Sequence, residues 1–150
     1  MKAANYQRKV FSPEEMVKQL KTFKLKPKFS MGIWYVSPVG GRFHDRYVPD
    51  TSIEERIESI KNLKEVGISG IEAHYPDEIN WDNIDLFLDL KKSIGIKVVG
   101  VAFSHFFDKK FEFGSLSNPY PEIRKEAINI AIEGLKLVKE IGANFAISWP

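Results

Sequence analysis

The sequence predicts a parallel β/α fold, and three repeated observations carry that reading. Three helical stretches each close on a glycine (Gly67, Gly95 and Gly142), an apolar strand follows each glycine, and each strand ends in polar or aromatic residues. Those ends are Glu72, Ala73 and His74 in the first unit, Phe103, Ser104 and His105 in the second, and Ser148 and Trp149 in the third. In parallel β/α folds such strand ends share one face, where active sites are built. Two of the three histidines are therefore expected to converge there, with the third, His44, in the loop after the first strand.

The elements follow in order. Ser12-Pro13-Glu14-Glu15 reads as a helix start, with a serine cap, proline in the first turn and a glutamate closing a capping box. Met16, Val17, Leu20 and Phe23 form its apolar stripe, and Lys26-Pro27-Lys28 ends it. The first strand is expected over Phe29 to Val36, followed by a long Gly-, Pro- and charge-rich loop from Ser37 to Thr51. Ser52 and Glu55 form a second capping box. Ile53, Ile57, Ile60 and Lys64 trace one face of that helix, widened by Leu63 and Val66 toward Gly67. The second strand is expected over Gly70 to His74. A helix then starts near Asn80 or Trp81, with Ile84, Phe87, Leu88 and Ile94 apolar, and ends at Gly95. Lys97 to Ser104 is a near-continuous apolar run, as a strand covered on both faces should be. A second long loop, His105 to Asn118, leads to a helix with Pro121 in its first turn, and the fourth strand spans Asn144 to Trp149.

A helix followed by β-α-β-α-β-α-β, with right-handed crossovers expected, fits either an open four-stranded sheet or the first half of an eightfold β/α barrel. The half barrel is favoured, because the loops after the first and third strands are long while the helix-to-strand turns are short. A complete barrel normally needs about 250 residues. Ser37-Pro38-Val39-Gly40-Gly41-Arg42 carries neither a dinucleotide fingerprint nor a P-loop pattern. Strand alternation puts Glu72 and His74 on one side, with Ile71 and Ala73 on the other, and likewise pairs Phe103 with His105, Gly32 with Trp34, and Ile147 with Trp149. With helices outside, Glu72 and His74 face the barrel axis, where a carboxylate needs a partner such as a histidine, a lysine or a metal ion.

Composition sets the outer bounds. At 150 residues and 43% hydrophobic content, a compact domain could bury about 70% of its unfolded surface. Zero cysteines exclude a disulfide framework, a thiolate nucleophile and Cys-based zinc, and fit a reducing compartment, with the cytoplasm as the default. No run approaches the roughly 18 apolar residues of a membrane span, and the amino terminus has neither the apolar core nor the cleavage site of a signal peptide. The net charge is +2, but residues 1–28 hold eight basic residues against two glutamates, leaving the remainder at −4. This divides the chain into a basic N-terminal helix and arm, 1–28, and the half barrel, 29–150. The arm has little aromatic interleaving, so it reads as a solvated helix face and no nucleic-acid or membrane partner is favoured.

These residues resemble the xylose isomerases and related sugar isomerases and epimerases of TIM-barrel type. Phe29-Ser30-Met31-Gly32-Ile33-Trp34-Tyr35-Val36 is similar to their first strand, Gly40-Gly41-Arg42-Phe43 to their glycine-arginine loop, and His74-Tyr75-Pro76-Asp77 to their His-x-x-Asp motif. Phe103-Ser104-His105 with Phe111, Phe113, Gly114, Ser115 and Ser117-Asn118 is similar to the third-strand segment. Gly142-Ala143 through Trp149 is similar to the fourth. The resemblance covers roughly residues 28–150 and implies an aldose–ketose isomerase. Its catalytic pair is His74, assisting ring opening, and Asp77, fixing the imidazole tautomer, chemistry that suits both residue types. It further implies Trp34, Phe103 and Trp149 as apolar walls, with Glu72 and His105 also binding substrate. Two divalent ions, Mg²⁺ or Mn²⁺, would polarise the open-chain oxygens.

The match also departs from the family. The metal ligands there lie on the fifth to eighth strands, so none is expected in this chain and residues 1–150 alone are not expected to complete the reaction. Tyr75 and Pro76 replace two aspartates and Ala73 replaces an aromatic residue, which leaves the particular sugar open. Plainer roles compete: His74 as a core histidine bonded to Glu72 or Asp77, His105 as a loop cap, the tryptophans as barrel core, and Asp77 as part of a helix start. A second enzyme class, the metal-dependent endonucleases acting at abasic DNA, would use His74 and His105 on zinc, and ranks lower for want of a basic groove. A non-catalytic half barrel would expose two strand edges and associate with a C-terminal half barrel or another copy.

Overall fold

The computed structural model describes residues 10–37 and 51–149. The first nine residues of the basic arm, Pro150, and the loop residues 38–50, with Gly40-Gly41-Arg42-Phe43 and His44, lie outside the described residues. Among the described residues, four α-helices and four strands alternate: α1 Pro13–Thr22, β1 Phe29–Gly32, α2 Ile53–Asn62, β2 Ile68–Tyr75, α3 Ile84–Ile94, β3 Lys97–Phe103, α4 Pro121–Ile141 and β4 Phe145–Ile147. The strands form one sheet in the order β1-β2-β3-β4, every neighbouring pair parallel, and the sheet is open.

Both expected capping boxes form. Ser12 and Ser52 each accept from the backbone N–H three residues on at 3.2 Å, and each donates its own backbone N–H to that glutamate at 2.8 Å. Gly67, Gly95 and Gly142 close their helical segments at φ of +93°, +78° and +70°, the left-handed geometry in which a side chain would be strained. α1 buries none of its residues, and Leu20 and Phe23 of its stripe are about three-quarters exposed (76% and 70%).

Two sequence expectations need correction. The first strand stops at Gly32 rather than Val36, and Ile33–Val36 is a single 3₁₀ turn. The Trp34 ring folds back onto Gly32 and occupies the space a Cβ would need there, so the two residues cannot stand side by side along a strand. The α2 segment likewise ends in a 3₁₀ turn, Leu63–Val66. Three residues per turn carry Val66 off the helical stripe, and it is exposed rather than packed.

The sheet has two unlike faces. Ile71, Ala73 and Tyr75 of β2, with Val98 and Val101 of β3, join Ile57 and Ile60 of α2, Phe87 and Leu90 of α3, and Leu137 and Ile141 of α4 in one apolar core. Each fully buried Ile, Leu or Phe contributes about 1.5–3 kcal/mol. The opposite face carries Gly70, Glu72 and His74 of β2 and Gly100 of β3. It admits a register shift in which the Val99 side chain lies beside Gly70 and the Phe145 ring covers Gly100. α4 sits close to the sheet because residue 134 is glycine. A Cβ there would stand 2.5 Å from the Phe103 ring and 3.2 Å from that of Tyr75. Gly134→Val should therefore push α4 off β3 and destabilise the fold by about 2–3 kcal/mol, readable as a lower denaturant midpoint.

Candidate functional site

β2 delivers the central residue. Its pleat turns Ala73 and Tyr75 into the helix-covered core and leaves His74 on the open face. The imidazole there is nevertheless 3% exposed, because aromatic side chains enclose it. The Trp34 ring lies 4.4 Å from it at 43°, and the rings of Phe106 and Phe107 meet it edge-on at 5.5 and 5.2 Å. Trp34 reaches it from the 3₁₀ turn after β1, and the two phenylalanines from the loop after β3. The shortening of β1 thus serves the site: an extended strand would have carried Trp34 onward, whereas the turn lays it over His74.

A carboxylate closes the remaining side. The residue that makes this contact is Glu78, not Asp77. Glu78 Oε2 lies 2.7 Å from His74 Nδ1 and accepts the His74 backbone N–H at 2.9 Å. Glu78 Oε1 accepts from Arg56 Nη1 at 2.9 Å, and Arg56 Nε donates to Thr51 Oγ1 at 3.2 Å. Arg56 and Glu78 side chains are only 5% and 6% exposed. Asp77 is exposed, in the turn that follows the cis Tyr75–Pro76 peptide. The turn explains the exchange: the Glu78 and Ile79 backbone N–H groups both donate to the His74 carbonyl, and this helix-like return sets residue 78 beneath His74 while residue 77 points to solvent. Glu78 directly follows the His-x-x-Asp spacing, but its partner Arg56 comes from α2, 22 positions earlier, and no local pattern links the two.

The other expected site residues separate. Glu72 is half-buried on the same face as His74, and Ser30 Oγ donates to Glu72 Oε1 at 3.2 Å. Trp149, two residues past β4, is half exposed. Phe103 and His105 share a side as expected, but it is the helix side. Phe103 packs against Gly134, and His105 Nε2 donates to the Ala127 carbonyl of α4 at 3.0 Å. The imidazoles of His74 and His105 therefore have different surroundings, the latter lying between Phe103 and Phe111, and the expected convergence does not occur. The reason is physical: His105, two residues past β3, lies within reach of the buried Ala127 carbonyl of α4 and is held there on the helix side of the sheet.

Burial pushes the His105 pKa below its ordinary 6.5, opposed only in part by the bond to Ala127. A histidine with a depressed folded value favours the folded state least in acid. Its contribution is complete above the unfolded pKa and falls as the pH drops below 6.5 toward the lowered folded value. Thermal melts between pH 7.5 and 5.5 should show this loss, and His105→Asn should flatten the slope. Among the described residues, no three His, Asp or Glu side chains come together so as to hold a metal ion, and no helix is long and apolar enough to cross a membrane.

No protein-family model matches the chain. Curated proteins do, among them a xylose isomerase from Thermus thermophilus, 28% identical over 139 aligned residues, and one from Thermus caldophilus, 27% identical over the same length. The chain is similar to these xylose isomerases over most of its length. Each alignment takes in 85% of this chain and 34% of the relative, so the chain spans about a third of the length of the proteins it matches. The strand ends of this chain carry an imidazole in an aromatic cage, held by a buried Arg–Glu pair. Glu78→Ala should cost about 3–5 kcal/mol by breaking the buried Arg56–Glu78 pair and its bonds to His74, whereas Asp77→Ala should stay within about 0.5 kcal/mol. Urea unfolding of the two variants separates the roles.

Proposed function

We propose that the chain supplies the N-terminal half of a TIM-type β/α barrel in a cytoplasmic aldose–ketose isomerase, with His74 assisting the opening of a cyclic sugar. The observation that carries this reading is the state of the His74 ring: one nitrogen is held by a carboxylate and the other is left to exchange a proton. Opening a cyclic sugar requires a proton to leave the anomeric hydroxyl and one to reach the ring oxygen, work suited to an imidazole, which can hold a proton on one nitrogen and accept one on the other. Trp34 offers an apolar wall to the C–H face of the sugar, Glu72 accepts from a sugar hydroxyl, and Trp149 flanks the mouth. Phe103 and His105 serve by holding α4 against β3.

The relationship also implies a divalent ion, Mg²⁺ or Mn²⁺. The described residues provide no ligand set for one, so its ligands are assigned outside them. Completion of the barrel belongs to the same reading. β1 and β4 are open edges, and Phe145, Trp149 and the α4 residues Ile128, Ile132 and Leu135 expose apolar surface. Further β/α strands, from the rest of a longer chain or from another copy, would pair those edges and cover that surface. The endonuclease alternative needs His74 and His105 on one zinc ion, and the separate surroundings of the two rings do not favour it.

The test is turnover of a panel of aldoses and ketoses by the complete protein with Mg²⁺ or Mn²⁺. No turnover, with cleavage of abasic DNA instead, would reverse the assignment. His74→Asn should slow reaction of a cyclic sugar by about 10²-fold or more, and that of a pre-opened sugar far less. Equal slowing of both would remove His74 from ring opening.

A further inference from the structure

We propose that Glu78 and Arg56, rather than Asp77, are the positioning residues that set the tautomer of His74. The catalytic consequence rests on the isomerase reading, while the assignment itself stands on contacts. An ionised carboxylate only accepts hydrogen bonds, so the hydrogen between His74 Nδ1 and Glu78 Oε2, 2.7 Å apart, belongs to Nδ1. Nε2 is then the nitrogen with the free lone pair, the one able to take a proton from a sugar hydroxyl. The same Oε2 accepts the His74 backbone N–H at 2.9 Å, which locks the carboxylate to the strand that bears the ring. The ring cannot rotate without abandoning that oxygen.

Arg56 gives the carboxylate its direction. A guanidinium stays protonated and can only donate, so the contact from Nη1 to Glu78 Oε1 at 2.9 Å requires an oxygen on that side. Arg56 is in turn tied through Nε to Thr51 Oγ1, just ahead of the α2 cap. A chain of hydrogen bonds thus runs from the start of α2 through Arg56 and Glu78 to the imidazole at the end of β2. A buried ion pair is weak evidence for stability, since well-packed apolar residues of similar volume often do as well. Fixing the ring is the role its geometry fits. Asp77 is exposed and takes no part in these contacts.

The test reads the tautomer directly, from imidazole ¹⁵N shifts of the complete protein, with His74→Asn identifying the signals. The native protein should show Nδ1–H and an unprotonated Nε2. In Glu78→Gln, nearly isosteric, the Arg56 guanidinium and the His74 backbone N–H compete for the single amide oxygen, and the charged donor, making the stronger bond, should win it. The NH₂ then faces Nδ1 and the ring should switch to Nε2–H, the wrong-tautomer outcome seen when a protease triad aspartate becomes asparagine. Turnover of cyclic sugars should fall by about 10²-fold or more. Asp77→Asn and Arg56→Lys should keep the native pattern. A native spectrum with Nε2–H, an unchanged tautomer in Glu78→Gln, or a switch in Asp77→Asn would overturn the proposal. Should Glu78→Gln not fold, the native and Asp77→Asn spectra still decide it. Correct tautomers with no sugar turned over by the native protein would overturn the isomerase reading and leave the positioning role standing.

Discussion

A single carboxylate holds the functional end of this molecule together. Glu78 is buried between a guanidinium from α2 and an imidazole from β2, and each of its oxygens is already taken by a donor. A charge in that position is tolerated only when paired and hydrogen-bonded, and Arg56 and His74 meet the requirement together. The contacts therefore tie the first helix of the sheet layer to the top of its second strand. They also place the His74 imidazole at the one end of a parallel sheet where strand ends gather.

The aromatic cage complements this polar anchor. Trp34, Phe106 and Phe107 come from two separate loops and meet only around His74, so the ring is shielded from bulk water while keeping a nitrogen uncommitted. On the reverse side the same strands present an apolar surface to α2, α3 and α4. The approach of α4 depends on a missing side chain at Gly134 and on the His105 bond to the Ala127 carbonyl. Two histidines at equivalent strand ends thus do opposite jobs: one faces the open side of the sheet, and the other fastens a helix to its back.

The divergence shows where sequence reading stops. Alternation correctly paired Glu72 with His74 and Phe103 with His105, because the pleat has a period of two. It could not assign those pairs to the same face, since a register shift between β2 and β3 at Val99 adds a residue to one strand and moves the ends out of step. The His-x-x-Asp spacing drew attention to Asp77, yet the turn after β2 presents the next residue to the ring. Likewise the first strand was read four residues too long: Ile33 to Val36 are all strand-favouring residues, but Trp34 gains more by folding over Gly32 and His74.

What the residues determined by themselves was local. Serine caps, closing glycines and apolar runs fixed the element order, the parallel sheet and the position of His74 at a strand end, because each depends on neighbours within a few positions. Only tertiary structure brought Arg56 to Glu78 across 22 residues, turned His105 into the α4 interface and left Asp77 in solvent. Those outcomes depend on which groups can satisfy a buried charge or carbonyl once the helices have docked, and that competition is decided in space, not along the chain.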